Sequence, residues 1–169
     1  MSDKLRAYFR RRYMRIRGQF PLLWKNYLYQ SLLATIIVFL ILLALTIQNA
    51  VVIASLGASA CIVFTMPRSV SAKPRRVIGG HIIGLICGSL FALIPHSSTV
   101  MAATVYSLSV GITICAMVTL DFEHPPAAGT ALGVAITGFS PGVMAAVLTL
   151  SIALSVARHF SKRFLRDLT

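Results

Sequence analysis

The stretch Ala127-Ala128-Gly129-Thr130-Ala131-Leu132-Gly133-Val134-Ala135-Ile136-Thr137-Gly138-Phe139 is apolar almost throughout. It is nevertheless shut off by Pro125-Pro126 on one side and Ser140-Pro141-Gly142 on the other. At 1.5 Å per residue it makes about 20 Å of helix, short of the roughly 30 Å hydrocarbon core of a bilayer. A second run, residues 51–66, ends at Pro67 and reaches only about 24 Å. Four other runs, residues 29–47, 77–94, 99–120 and 142–158, have the apolar length of a span, the last of them slightly short. The expected fold is therefore an all-α membrane protein, a helical bundle of four full transmembrane helices plus two short helices.

Composition agrees with lipid as the solvent. Of 169 residues 57% are hydrophobic and only 12% charged, against roughly 25% in a soluble domain. All 16 basic residues fall into three clusters: Lys4 to Lys25, Arg68 to Arg76, and Arg158 to Arg166. A net charge of +12 could announce a nucleic-acid binder, but such a domain spreads its basic residues over a folded surface around an ordinary core. Here they flank apolar runs, so lipid is the expected partner and nucleic acid is not.

Charge also sets the expected topology. If both short runs traverse the protein, the two ends and the Arg68–Arg76 loop share one face and carry every basic residue. The positive-inside rule then puts six traverses in the inner (plasma) membrane with both termini cytoplasmic. Residues 1–27 read as a basic amphipathic segment on the cytoplasmic leaflet, 28–160 as the transmembrane domain and 161–169 as a basic tail. The first long apolar run begins too late and runs too long for a cleavable signal peptide. Each half reads long helix, short helix, proline-marked turn, long helix, and Leu56-Gly57-Ala58-Ser59-Ala60 stands about 72 positions before Ala128-Gly129-Thr130-Ala131-Leu132. Three crossings per half imply an inverted repeat.

The chemistry gathers in Asp121-Phe122-Glu123-His124-Pro125-Pro126, which holds two of only four acidic residues. The prolines stop one helix and open the next, exposing the amides of Ala127, Ala128 and Gly129 at a helix start, which suits a small anion. The first half offers a parallel in Asn49 and Ser55 ahead of Gly57. Small residues at Gly57, Ala58, Ala60, Ala128, Gly129, Ala131 and Gly133 permit close approach of the short helices, as packing or as a pathway lining. His124 reads either as a helix cap or as a proton-sensitive anion contact. His81, after Gly79-Gly80, reads as structural or functional in equal measure. Asp121 and Glu123 are positioned to pair with Arg68, Lys73, Arg75 or Arg76. Cys61, Cys87 and Cys115 are isolated in apolar runs and expected to be packing residues.

No catalytic motif, metal-ligand spacing or nucleotide loop is present, so neither an enzyme nor a cofactor is expected. The expected function is passage of a small inorganic anion between the short helices. The candidate contacts are Asn49, Ser55, Gly57, Ser59, His81, His124, Ala128, Gly129 and Thr130. A non-transporting membrane scaffold and a cation pathway over Asp121 and Glu123 are the alternatives. Glycine faces also suit a homo-oligomer.

Taken together, these strings resemble the HPP family of membrane proteins over about residues 28–158. The likeness rests on His124-Pro125-Pro126, on Gly57-Ala58-Ser59-Ala60, on Pro67, Ser69, Ala72, Pro74 and Arg75, on Gly79-Gly80-His81, and on Ala128-Gly129-Thr130-Ala131. The resemblance implies a small membrane protein with four transmembrane segments and, because plastid and cyanobacterial members are associated with nitrite transport, a transporter of a small anion. Glu123 replaces the small polar residue that the family carries before the histidine, and the Arg75-Arg76 pair adds to its basic loop.

Overall fold

The computed structural model describes residues 3–44 and 50–168. Among these residues six helices follow one another: α1 (Asp3–Ala44), α2 (Ala50–Thr65), α3 (Pro74–Ala92), α4 (Thr99–Thr119), α5 (Pro126–Thr137) and α6 (Pro141–Ser161), with a 3-10 turn at Val70–Ala72. Proline opens α3, α5 and α6, where its missing N–H costs nothing and its fixed φ favours the first turn. Ser98 caps α4 by accepting the Met101 amide at 3.2 Å.

The far end of α4 shows why the chain turns there. Asp121 sits at φ 60°. The Phe122 amide reaches back to the Met117 carbonyl at 2.8 Å and the Asp121 amide to Val118 at 3.3 Å. This is the Schellman arrangement, with aspartate in the left-handed position that glycine usually takes.

Among the described residues three helices, α3, α4 and α6, are long and apolar enough to cross a membrane, while α2 and α5 are apolar but shorter. The expectation of four full spans is corrected accordingly. The stretch expected to be the first span, residues 29–47, is not a helix of its own. It continues backward into the 42-residue α1, and residues 45–49 lie outside the described residues. The cause is local: no cap or breaker separates the basic segment from the apolar one, and even Pro21 lies inside the helix.

The bundle is apolar outside as well as inside. Its outer faces carry Leu90, Val100, Ile112 and Ile152, all around half exposed or more, as lipid contact requires. Inside, Val52, Leu56, Val63 and Phe64 of α2 pack with Val134 of α5 and Val147, Leu150 and Leu154 of α6. Helix α5 lies between α2, α3 and α4, and α1 runs along α2 and α6. The C-terminal tail folds back as a clasp. Buried Gln30 donates to the carbonyls of Phe64 and Arg166, and the Leu168 amide reaches the Thr65 carbonyl at 2.8 Å. With three crossing-competent helices, the chain is a multi-pass membrane protein.

Candidate functional site

Ser55 and Ser59 are one helical turn apart on α2, so their hydroxyls leave the same face. Ser55 Oγ donates to the Pro126 carbonyl at 2.5 Å and lies 2.8 Å from Thr130 Oγ1. Ser59 Oγ is 2.8 Å from His81 Nε2, 2.9 Å from His124 Nε2 and 3.0 Å from the Ser55 carbonyl. His81 Nδ1 continues to Thr130 Oγ1 at 2.9 Å, and His124 Nδ1 donates to the Ser71 carbonyl at 2.9 Å. The two imidazoles meet edge to face with centroids 5.1 Å apart.

Ser59, His81, His124 and Thr130 are wholly buried, and Ser55 nearly so. The Ser71 carbonyl can only accept, so His124 carries its proton on Nδ1 and, when neutral, accepts from Ser59 at Nε2. Burial holds the His124 imidazole well below its ordinary 6.5, at about 4, with the hydrogen bond to Ser71 opposing the drop.

The helices come this close because glycines of α3 stand at the points of closest approach to α5 and the loop before it. Gly80, Gly84 and Gly88 are spaced by four and form one ridge. A methyl on Gly80 would stand 2.7 Å from His124 Cβ, one on Gly84 would strike the Ala127 carbonyl, and one on Gly88 would stand 2.6 Å from the Ala131 carbonyl. On the other side of α5, Gly129 faces Ser55 Cβ at 3.2 Å and Gly133 faces Val52.

Of the residues singled out in the sequence, Ser55, Ser59, His81, His124 and Thr130 are thus brought into one cluster, with Gly129 against Ser55. Gly57 is not part of it. It is exposed, with nothing within 4 Å of where a side chain would begin, and lines a groove of about 540 Å³ between α1 and α2 with Ala34, Val38 and Cys61. Asn49 lies outside the described residues. Two of the three amides expected to be free at the start of α5 are taken: Ala127 donates to the His124 carbonyl at 2.9 Å and Ala128 to the Pro125 carbonyl at 3.1 Å. Pro125 already has helical dihedrals, so the turn closes on itself one residue before the helix proper. The buried side-chain donors of the cluster are hydroxyls and imidazole N–H groups.

Two contributors went unrecognised in the sequence. The glycine ridge was readable from its spacing of four. The Ser71 carbonyl, a main-chain group in a loop, left no signal.

Asp121 and Glu123 are engaged at the mouth of this region. Arg76 bonds to both carboxylates, and Arg75 stands 3.7 Å from Asp121 with its guanidinium 4.8 Å over the Phe122 ring. Arg68 and Lys73 are not in these pairs, and the Arg68 amide is bound by Asp167 at 3.0 Å. Committed to arginine, the two carboxylates offer little to a passing cation.

Two Dictyostelium discoideum proteins, each named only as a transmembrane protein, are similar to the chain. One is 31% identical over 131 residues, covering 71% of this chain and 46% of its own length. The other is 32% identical over 78 residues, covering 46% of this chain and 25% of its own. The chain therefore spans less than half the length of these curated relatives. No solved structure matches it. The family described as HPP, transmembrane region, matches residues 21–165, from within α1 to just beyond α6, and the chain belongs to that family.

Proposed function

We propose that this protein passes a small inorganic anion across the membrane, with nitrite the first candidate, along the contact between α2 and α5. The observation that carries the reading is the chain of two imidazoles and three hydroxyls buried where α2, α3 and α5 meet. Polar groups inside a membrane bundle are costly, and they characteristically mark the path of an ion or proton. Hydroxyls and imidazole N–H groups are the donors such an ion would exchange for water. The basic cluster of Arg68, Lys73 and Arg75 beside the His124 loop adds a favourable potential, in the cytoplasmic orientation that the positive-inside rule assigns it. The family's association with nitrite supports the choice of anion.

A second reading, a membrane scaffold without flux, is favoured by one observation. Among the described residues, no buried side-chain nitrogen or oxygen lacks a hydrogen-bonding neighbour, as a purely structural lock would require.

Uptake of nitrite, nitrate and formate into liposomes separates the two. Saturable uptake, lost in His124→Ala and in Gly129→Leu while both variants remain monodisperse in detergent, is the expected result. Uptake no faster than in empty liposomes removes the transport reading and leaves the scaffold.

A further inference from the structure

The hydrogen bonds of the cluster do not balance in its neutral state. Six contacts run in series: Ser71 carbonyl to His124, His124 to Ser59, Ser59 to His81, His81 to Thr130, Thr130 to Ser55, and Ser55 to the Pro126 carbonyl. Both ends are carbonyl oxygens, which only accept. The five groups between them, two neutral imidazoles and three hydroxyls, bring one proton each. One contact in the series must therefore set lone pair against lone pair at hydrogen-bonding distance, and the branch from Ser59 to the Ser55 carbonyl competes for the same hydroxyl proton. A single added proton, making either imidazole a cation with both nitrogens donating, fills the series from end to end.

We infer that His81 and His124 form one proton-binding site, bridged by Ser59, that couples the passage of a small anion to the movement of one proton in the same direction. This rests on the anion-transport reading. The empty pair stays neutral because an unaccompanied charge in a bundle interior is costly. The groups bonded to the two rings offer no counter-charge: they are the hydroxyls of Ser59 on α2 and Thr130 on α5 and the Ser71 carbonyl of the 3-10 turn. The charged residues flanking the pair in sequence, Arg75 and Arg76 ahead of His81 and Asp121 and Glu123 ahead of His124, are bound to one another. On α6, Arg158 is held by the Pro67 carbonyl at 3.0 Å. The missing counter-charge is supplied by the anion itself. Its arrival favours the imidazolium and the imidazolium favours its arrival, as linkage demands. The proton comes from acid in the water on one side, adds to an imidazole nitrogen lone pair, and leaves to water on the other side with the anion, so no net charge crosses.

The test measures stoichiometry in wild-type protein. Liposomes holding a pH-sensitive dye take up nitrite, or nitrate, whose conjugate acid is too strong to carry it through lipid unaided, and empty liposomes supply the background. The expected result is one proton entering per anion, a rate indifferent to a potassium diffusion potential, and accumulation of about tenfold per unit of inward pH difference. His81→Asn and His124→Asn, which keep a hydrogen-bonding side chain but cannot hold the proton, should lose proton movement and the response to the pH difference. Anion uptake that is driven by voltage and brings no proton overturns the coupling while leaving transport intact. Absence of uptake overturns both. Because the wild-type stoichiometry decides alone, a variant that fails to fold does not protect the inference.

Discussion

Ser59→Ala removes the one oxygen on which both imidazoles converge. Two buried Nε2 atoms, held at 2.8 and 2.9 Å in the native protein, are left without a partner. Leaving a buried polar atom unpaired costs about 1–3 kcal/mol, so the pair together costs roughly 2–5 kcal/mol after the saved desolvation of one hydroxyl. The lost bond to the Ser55 carbonyl adds little, because that carbonyl lies within the body of α2. For a chain of this size about 1 kcal/mol moves the melting temperature by roughly 2–4 °C, which predicts a fall on the order of 5–15 °C. The assay can use the protein's own thiols: buried Cys87 reacts with a fluorogenic maleimide as the bundle opens, above a baseline set by the outward-facing Cys61 and Cys115 in the folded protein. Ser155→Ala is the matched control. Ser155 is also buried, but among the described residues its hydroxyl bonds to the Ser151 carbonyl of its own helix at 2.7 Å, and its loss should cost less than about 1 kcal/mol. Equal shifts for the two variants would refute the assignment of Ser59 as the hub.

Gly84→Ala should destabilise by about 1–3 kcal/mol, since its methyl meets the Ala127 backbone, which cannot give way as a side chain could. Gly57→Ala, with open space around it, should be neutral or stabilise by about 0.5–1 kcal/mol, and thermal unfolding in detergent compares the two. Arg76→Gln leaves Asp121 and Glu123 without their shared partner. Because the arginine is 12% exposed but the carboxylates are far more so, the expected cost in a denaturation series is about 1–2 kcal/mol. Arg75→Gln, 65% exposed, should stay within about 0.5 kcal/mol. The lowered value of His124 also sets a pH dependence. The unfolded chain gains a proton as pH falls through 6.5 and the folded one only near 4, so stability is complete above about pH 7 and is lost between those values. Melting curves recorded without a permeant anion should slope downward over that interval, and the slope should flatten in His124→Asn.

Much of the helix order was legible because proline and glycine punctuate it. The run expected at 127–139 became α5 at Pro126–Thr137, and the run at 51–66 became α2 at Ala50–Thr65. Where punctuation is missing the sequence misleads, and α1 runs across an expected boundary that no residue marks. The site divides in the same way. Ser55 and Ser59 share a face by their spacing alone, and Thr130 follows His124 at short range. His81 and His124 are 43 positions apart, and their edge-to-face meeting depends on a packing distance that only the folded backbone sets. The Ala127 and Ala128 amides, expected to be free, are engaged for a subtler reason: the His124 and Pro125 carbonyls turn back to claim them, a local closure that composition does not reveal.

The bare ridge of Gly80, Gly84 and Gly88 bears on how the imidazoles are aimed. At Gly84 and Gly88 the ridge lies against the α5 main chain at Ala127 and Ala131, which has no rotamer to choose, so little side-chain freedom is lost in forming those contacts. The separation of His81 from Thr130 is then a property of two rigid rods pressed together. Mutations scattered over the lipid-facing side of α3 can accumulate without moving that separation, while a single methyl on the inner side misaligns the whole chain of donors.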